Sequence, residues 1–133
     1  MSPAFVDTSG LYALMVASDD FHERARAAFA LLRREDARMV TTSYVLVETY
    51  ALLQRRVGWE AVDALRRHLA PLLEVVWVDA PIHERALDHL QERGATSVSL
   101  VDATSFVVMR ARSIGRAFAF DAHFTDEGFA LVA

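Results

Sequence analysis

The chain contains no cysteine, and this absence excludes several kinds of chemistry. Without thiols there is no disulfide framework, no thiolate zinc site and no cysteine nucleophile. Lysine is absent as well, so all 14 basic residues are arginine. A Schiff-base lysine, a P-loop lysine and the lysine that pairs with an aspartyl phosphate are therefore excluded, which disfavours phosphoacceptor and phosphatase chemistry.

Long apolar runs are also missing. Arg or Asp interrupts segments such as 117–120 well before the roughly 18 residues of a membrane span, and no signal-peptide pattern opens the sequence. We therefore expect a cytoplasmic protein with no membrane partner. The formal net charge of −4 argues against broad nonspecific nucleic-acid binding but leaves room for a local basic path.

The 133 residues, 53 % of them hydrophobic, predict one folded domain over residues 1–133. Short apolar segments alternate with helical patterns. We predict strands at 4–6, 39–41, 74–78, 117–120 and 129–132. We predict helices at 11–17, from 20 to about 35, after the Thr42-Ser43 cap, at 60–69, from 80 to 93 and after 99. This alternation predicts an α/β fold, with a short parallel sheet covered by helices on both faces.

Two helix starts have the spacing of a capping box. Asp20 precedes Glu23 by three residues, and Ser99 precedes Asp102 by the same interval. Asp79 is a further cap candidate because Pro81 follows in the first helical turn.

Acidic residues stand at positions where α/β proteins bind ligands. Asp7 and Asp121 each follow a predicted buried strand, and ligands bind beyond the carboxyl ends of such strands. Glu48 lies among apolar residues of a predicted helix, and Asp102 lies in the first turn of another. Each also has a structural interpretation: the aspartates as turn or cap residues, and Glu48 as part of a solvated helix face.

Together, these four acidic residues resemble the pattern of the PIN-domain ribonucleases. The resemblance spans nearly the whole chain. The length of the chain is similar to that of the toxin subunits of bacterial VapBC toxin–antitoxin pairs. Its segments are Phe5-Val6-Asp7-Thr8-Ser9, Val45-Leu46-Val47-Glu48, Leu100-Val101-Asp102-Ala103 and Phe120-Asp121-Ala122-His123-Phe124 with Gly128-Phe129.

The resemblance implies a metal-dependent endoribonuclease for single-stranded or looped RNA, with Asp7, Glu48, Asp102 and Asp121 as catalytic and metal-binding residues. Clustered carboxylates repel one another unless a cation compensates them, and hard oxygen ligands select Mg²⁺ or Mn²⁺. Such an ion, or a pair of ions, activates water and stabilises charge at the phosphate. We expect Asp7 and Asp121 to ligate directly, and Asp102 and Glu48 to act through bound waters.

Neighbouring residues extend this hypothesis. Thr8 and Ser9 either orient a carboxylate or water or serve only as turn residues. The family often has Thr or Ser two residues before its last acidic position, where this chain has Ala119, which leaves catalytic efficiency in question. His123 has the spacing of the family's Asp-x-His-Phe variant and either touches substrate or has a structural role.

Arginine is the only side chain available for RNA phosphates. Arg55 lies seven residues after Glu48, which puts it on the same helix face about 10 Å further along. Arg110, Arg112 and Arg116 follow Asp102 and are further candidates for the same groove, although a solvated surface position is an alternative for each.

The resemblance also implies partners: an RNA substrate, a cognate antitoxin protein and a second copy in a homodimer. The alternative is a non-catalytic PIN-like domain that binds RNA or a protein without cutting. The RNA target depends on loop shape and unpaired bases that these residues do not spell out.

Overall fold

The computed structural model describes residues 2–94 and 97–132. Within these residues the chain forms a five-stranded parallel sheet with strand order β3-β2-β1-β4-β5. The strands are β1 (Ala4–Val6), β2 (Met39–Thr42), β3 (Glu74–Val76), β4 (Arg116–Phe118) and β5 (Ala130–Leu131). The predicted parallel α/β sheet is confirmed.

Seven α-helices accompany the sheet in the described part of the chain. They are α1 (Thr8–Met15), α2 (His22–Arg34), α3 (Ser43–Arg56), α4 (Trp59–Ala64), α5 (Ala80–Arg93), α6 (Leu100–Ala111) and α7 (Ala122–Asp126). After α4 the chain continues as a π-helical turn, Leu65–Leu69, and a 3₁₀ turn, Ala70–Leu72. No helix in the described ranges is both long enough and apolar enough to cross a membrane.

Aromatic side chains of the central strands join helices to both faces of the sheet. The pairing of β1 with β4 sets Phe5 and Phe118 one register position apart, so their side chains point to opposite faces. On one face, the Phe5 ring lies 6.4 Å from Phe124 of α7, which in turn lies 5.1 Å from Phe106 of α6. On the other face, Phe118 lies 6.3 Å from Phe29 of α2. The predicted covering of both faces is confirmed.

Several predicted boundaries of helices and strands are wrong, because the capping residues begin helices earlier and end strands earlier than the sequence pattern predicts. The predicted turn before residue 11 is the first turn of α1, which begins at Thr8 because the Asp7 carboxylate accepts the amide of Ser9. β4 ends at Phe118, whose carbonyl accepts the Asp7 amide at 3.1 Å, rather than at Phe120. Asp121 therefore does not follow the strand directly. It caps the short helix α7.

The two predicted capping boxes have different outcomes. Ser99 and Asp102 form a complete box at the start of α6. The box predicted at Asp20 is wrong: α2 begins at His22, Phe21 occupies the cap position without a side-chain cap, and the Asp19 carboxylate accepts the Phe21 amide. The turn that this contact closes spans residues 19–21, so it contains Asp20, the residue expected to begin the box.

A buried carboxylate ties the last helices together. Glu127, directly after α7, is 8 % exposed. Its oxygens bind His89 and Arg93 of α5 and Arg110 of α6. These contacts hold α7, and with it Asp121, against the rest of the fold.

Candidate active site

The four acidic residues predicted from the sequence line one cleft. This cleft has a volume of about 750 Å³. Its acidic side chains belong to Asp7, Glu48, Asp102 and Asp121, and Asp19 is a fifth acidic residue in its lining. The topology explains the convergence: β1 and β4 are parallel neighbours, so the residues that follow them meet at one edge of the sheet.

Asp7 is almost completely buried, with 3 % exposure, and its two oxygens have different surroundings. Oδ2 accepts the backbone amide of Ser9 at 3.1 Å and the Ser9 hydroxyl at 2.7 Å. The same hydroxyl accepts the amide of Phe120 at 2.9 Å. Ser9 thus connects Asp7 to the segment that leads to Asp121, while Oδ1 of Asp7 has no hydrogen-bond partner.

Asp102 and Asp121 are held by helix N-termini. Asp102 is 8 % exposed, and its Oδ2 accepts the Ser99 amide at 3.4 Å within the capping box. Asp121 Oδ1 accepts the His123 amide at 2.9 Å as the cap of α7. Asp102 thus completes the capping box of α6 and Asp121 caps α7, while both line the cleft, and helix N-termini favour negative charge.

The Nδ1 atom of His123 lies between these two carboxylates. It is 3.0 Å from Asp121 Oδ1 and 3.2 Å from Asp102 Oδ2. Asp102, Asp121 and His123 each offer one ligand atom within 4.8 Å of the other two. Among the described residues, Asp7 and Glu48 do not belong to this group of three. The expected direct ligation by Asp7 is therefore not supported by the closest set of ligand atoms.

Glu48 is half-buried on α3 and lines the same cleft. The neighbouring Thr49 hydroxyl donates to the Val45 carbonyl at 2.7 Å and lies 3.1 Å from the Thr8 hydroxyl. Thr8 thereby joins α1 to α3 beside Glu48, and no hydrogen bond from Thr8 to a cleft carboxylate occurs in the described residues. Ala119 is fully buried, and the hydroxyl contacts at this edge come from Ser9.

Burial and mutual repulsion act on the carboxylates together. Burial raises the pKa of Asp7 to about 7; the Ser9 hydrogen bonds oppose this shift, and the charges of Asp102 and Glu48 add to it. The pKa of Asp102 is also raised, first by burial and then by the charge of Asp121. A divalent cation would relieve both effects, and the unpartnered Asp7 Oδ1 together with the oxygen-rich donor set fits such an ion.

The arginines divide into two groups. Arg55 lines the cleft, as its spacing from Glu48 suggests, and so does Arg56, which the sequence analysis missed. The Arg56 guanidinium lies 5.8 Å from the Tyr12 ring. The adjacent Arg-Arg pair at the end of α3 was the available signal.

The expectation that Arg110, Arg112 and Arg116 flank the groove needs correction. Each donates to a carboxylate outside the cleft: Arg110 to Glu127, Arg112 to Glu74 and Arg116 to Glu35. Glu74 and Arg116 begin β3 and β4, so Arg112 and Arg116 lie at the amino ends of the strands, opposite the acidic edge.

An aromatic pair on the rim is a second feature that the sequence analysis missed. The rings of Phe21 and Phe120 stack at 4.8 Å, and both line the cleft. The Arg24 guanidinium lies 5.4 Å from each ring. Phe21 is 39 % exposed, so part of the stacked pair faces solvent at the rim of the cleft.

Comparison with known proteins identifies the family. A family model described as PIN domain matches residues 4–129. The chain belongs to the PIN domain family. Relatives described as 23S rRNA-specific endonuclease VapC20, from two strains of Mycobacterium tuberculosis, are 40% identical over 126 residues, which make up 94% of this chain and 94% of theirs. The resemblance inferred from the sequence is confirmed, and with it the prediction of a PIN-domain nuclease.

Solved structures agree with this assignment. The crystal structure of Mycobacterium tuberculosis VapC20, described as a sarcin-ricin loop cleaving toxin, matches with a TM-score of 0.85 and 37% identity, covering 96% of each chain. FitAcB from Neisseria gonorrhoeae matches with a TM-score of 0.71 and 15% identity, covering 98% of this chain and 96% of the other. The second match shows the fold alone.

Proposed function

We propose that this PIN-domain protein is a Mg²⁺- or Mn²⁺-dependent endoribonuclease toxin that cuts looped RNA. The observation that carries the proposal is the convergence of four carboxylates on one cleft, where Asp7 Oδ1 is buried and unpartnered. The 40% identity to a 23S rRNA-specific endonuclease over 94% of the chain supports 23S rRNA as substrate, and the structural match to a sarcin-ricin loop cleaving toxin supports that loop as the site of cutting. We propose the cytoplasm, where ribosomes act, as the compartment of this activity.

The chain's own residues prepare the cleft for a cation and a phosphate. Asp102 and Asp121 would hold the ion, and Asp7 and Glu48 line the same cleft. A bound ion supplies activation of water and neutralisation of charge at the scissile phosphate. Ser9 fixes the Asp7 carboxylate through Oδ2, so Oδ1 keeps one orientation relative to the other acids.

The rim of the cleft offers both kinds of contact that a looped RNA needs. Arg55 and Arg56 provide positive charge for phosphates beside an acidic centre that would otherwise repel them. The stacked rings of Phe21 and Phe120 provide an apolar face for an unpaired base, which is how proteins commonly hold bases of single-stranded loops.

The proposal includes two protein partners. A toxin needs restraint, so we propose a cognate antitoxin that brings an Arg or Lys close to the acidic cluster, where it would compensate the same charges as the cation. We also propose a homodimer, because apolar residues of α1 and α2, including Leu14 and Phe29, are only partly buried in the single chain.

Cleavage of a synthetic sarcin-ricin loop oligonucleotide tests this function. The purified protein should cut the loop with Mg²⁺ or Mn²⁺ and should stop when a chelator is added. A fully base-paired duplex of the same composition serves as the control and should stay intact. Chelator-resistant cutting, or equal cutting of duplex and loop, would contradict the proposal.

A further inference from the structure

Two buried side-chain atoms lack a hydrogen-bond partner among the residues that the structure describes: Asp7 Oδ1 and His123 Nδ1. Both residues line the same cleft. A buried polar atom without a partner costs free energy, so a bound ion or an ordered water is expected to meet it. Asp7 is one of the four expected carboxylates, whereas His123 adds a nitrogen donor atom to the same cleft.

The Ser97 hydroxyl gives Nε2 of His123 a partner, which allows Nδ1 to serve as the acceptor. Nε2 lies 2.9 Å from the Ser97 hydroxyl, which is a good partner for an N–H donor. When Nε2 carries the proton, Nδ1 keeps its lone pair. Nδ1 then lies 3.0 Å from Asp121 Oδ1 and 3.2 Å from Asp102 Oδ2, without hydrogen-bond geometry to either.

This arrangement is that of a metal-ligating histidine. Such residues ligate through one nitrogen while the other donates to a nearby acceptor, which fixes the ring. The amide of His123 also donates to Asp121 Oδ1 at 2.9 Å, so the two side chains are held by one turn of backbone. A divalent cation between them would meet the imidazole nitrogen and both carboxylates at once, since the three ligand atoms lie within 4.8 Å of one another.

We propose that His123 Nδ1 ligates the divalent cation together with Asp102 and Asp121, and that it makes the site prefer transition-metal ions over Mg²⁺. This inference rests on the proposed function, because it concerns the ion that serves the same cleft. Mg²⁺ takes oxygen ligands almost without exception, whereas transition-metal ions such as Mn²⁺ and Co²⁺ accept an imidazole nitrogen more readily.

Metal titrations followed by thermal unfolding test the proposal without relying on activity. The variant is His123→Asn, and the matched control is His68→Asn, since His68 is exposed on the π-helical turn beside Arg67 and away from the cleft. We expect His123→Asn to weaken Mn²⁺ and Co²⁺ binding at least tenfold and Mg²⁺ binding less than about threefold. His68→Asn should bind all three ions as the parent does.

A second variant and a spectrum keep the test decisive if His123→Asn unfolds. Ser97→Ala removes the acceptor of Nε2 but leaves the ligands, and it should weaken Mn²⁺ binding by about tenfold. The visible absorption of bound Co²⁺ should change in His123→Asn and stay unchanged in His68→Asn. Two results would contradict ligation by His123. One is parental Mn²⁺ affinity in both His123→Asn and Ser97→Ala, and the other is an equal loss of affinity for Mn²⁺, Co²⁺ and Mg²⁺.

The outcomes also separate this inference from the proposed function. A parent that binds metal and cuts RNA, with His123→Asn identical to it, would overturn the role of His123 alone. A parent that neither binds a divalent ion nor cuts RNA would overturn both.

Discussion

Asp7 uses its two carboxylate oxygens for two different purposes. Oδ2 caps α1 through Ser9, and Oδ1 is left for the cleft. Asp102 likewise completes the capping box of α6 and Asp121 caps α7, while both line the same cleft. A structural role as a helix cap and a role in the active site therefore do not exclude each other at these positions, because the capping hydrogen bonds hold each carboxylate in place.

The raised pKa of Asp7 predicts how the stability of the metal-free protein depends on pH. Burial raises this pKa from its ordinary value of 3.8 to about 7, so the native state holds the proton more tightly than the unfolded chain. The contribution of Asp7 to the free energy of unfolding should fall as the pH rises from about 4 to about 7, by at most about 1.4 kcal/mol per pH unit. Urea unfolding across this range, with chelator present, measures the slope.

Asp7→Asn is the control for this prediction, because asparagine has no such proton to lose. Its stability relative to the parent should grow as the pH rises through the same window. Parent and variant curves that stay parallel from about pH 4 to about pH 7 would show that Asp7 does not titrate in this range.

Arg55 should contribute to RNA binding rather than to the fold. It is exposed and lines the cleft, so Arg55→Gln should weaken RNA binding, reduce the salt slope of binding by about 1 and leave stability nearly unchanged. Arg112→Gln is the matched control, since Arg112 pairs with Glu74 at the opposite edge of the sheet. Filter binding at several salt concentrations measures both, and equal salt slopes for the two variants would remove Arg55 from the interface.

At the scale of elements, α1 is held close to β4 by Gly10. A Cβ at this position would lie 2.4 Å from the carbonyl oxygen of Phe118, which is backbone and does not yield cheaply. Gly10→Ala should therefore destabilise the protein by about 1–3 kcal/mol and reduce cleavage, because Asp7 and Ser9 begin this helix.

Gly115→Ala is the matched control for Gly10→Ala. A Cβ at Gly115 meets nothing within 4 Å, so melting temperature and cleavage should stay close to those of the parent. Thermal unfolding of both variants gives the comparison. A Gly10→Ala protein as stable as Gly115→Ala would show that α1 can move away from β4 without cost.

Local chemistry accounts for the elements that the sequence predicts well. Asp79 and Ser99 cap the predicted helices because the backbone amide that each accepts lies three residues away. The contacts that the sequence does not predict are distant: Phe120 stacks on Phe21, and Arg110 binds Glu127. Spacing alone placed Arg110 near the groove, but the buried carboxylate of Glu127 decides where its guanidinium lies.

For the molecule as a whole, topology separates the charges. The carboxyl ends of the parallel strands collect the acidic residues around one cleft. At the opposite edge, Glu74 pairs with Arg38 and Arg112, and exposed pairs of this kind contribute little to stability. The acidic cluster therefore holds negative charges that repel one another, as expected for a cation site.

The Mg²⁺-induced rise in melting temperature of Asp102→Asn, compared with the parent, tests this account most directly. Asparagine keeps the volume and an acceptor for the Ser99 amide but removes one repelling charge, so the metal-free variant should be at least as stable as the parent. Mg²⁺ stabilises the native state in proportion to its affinity for it, so the variant should gain less than the parent and should lose RNA cleavage. A variant with the parental Mg²⁺ response and parental cleavage would contradict the account.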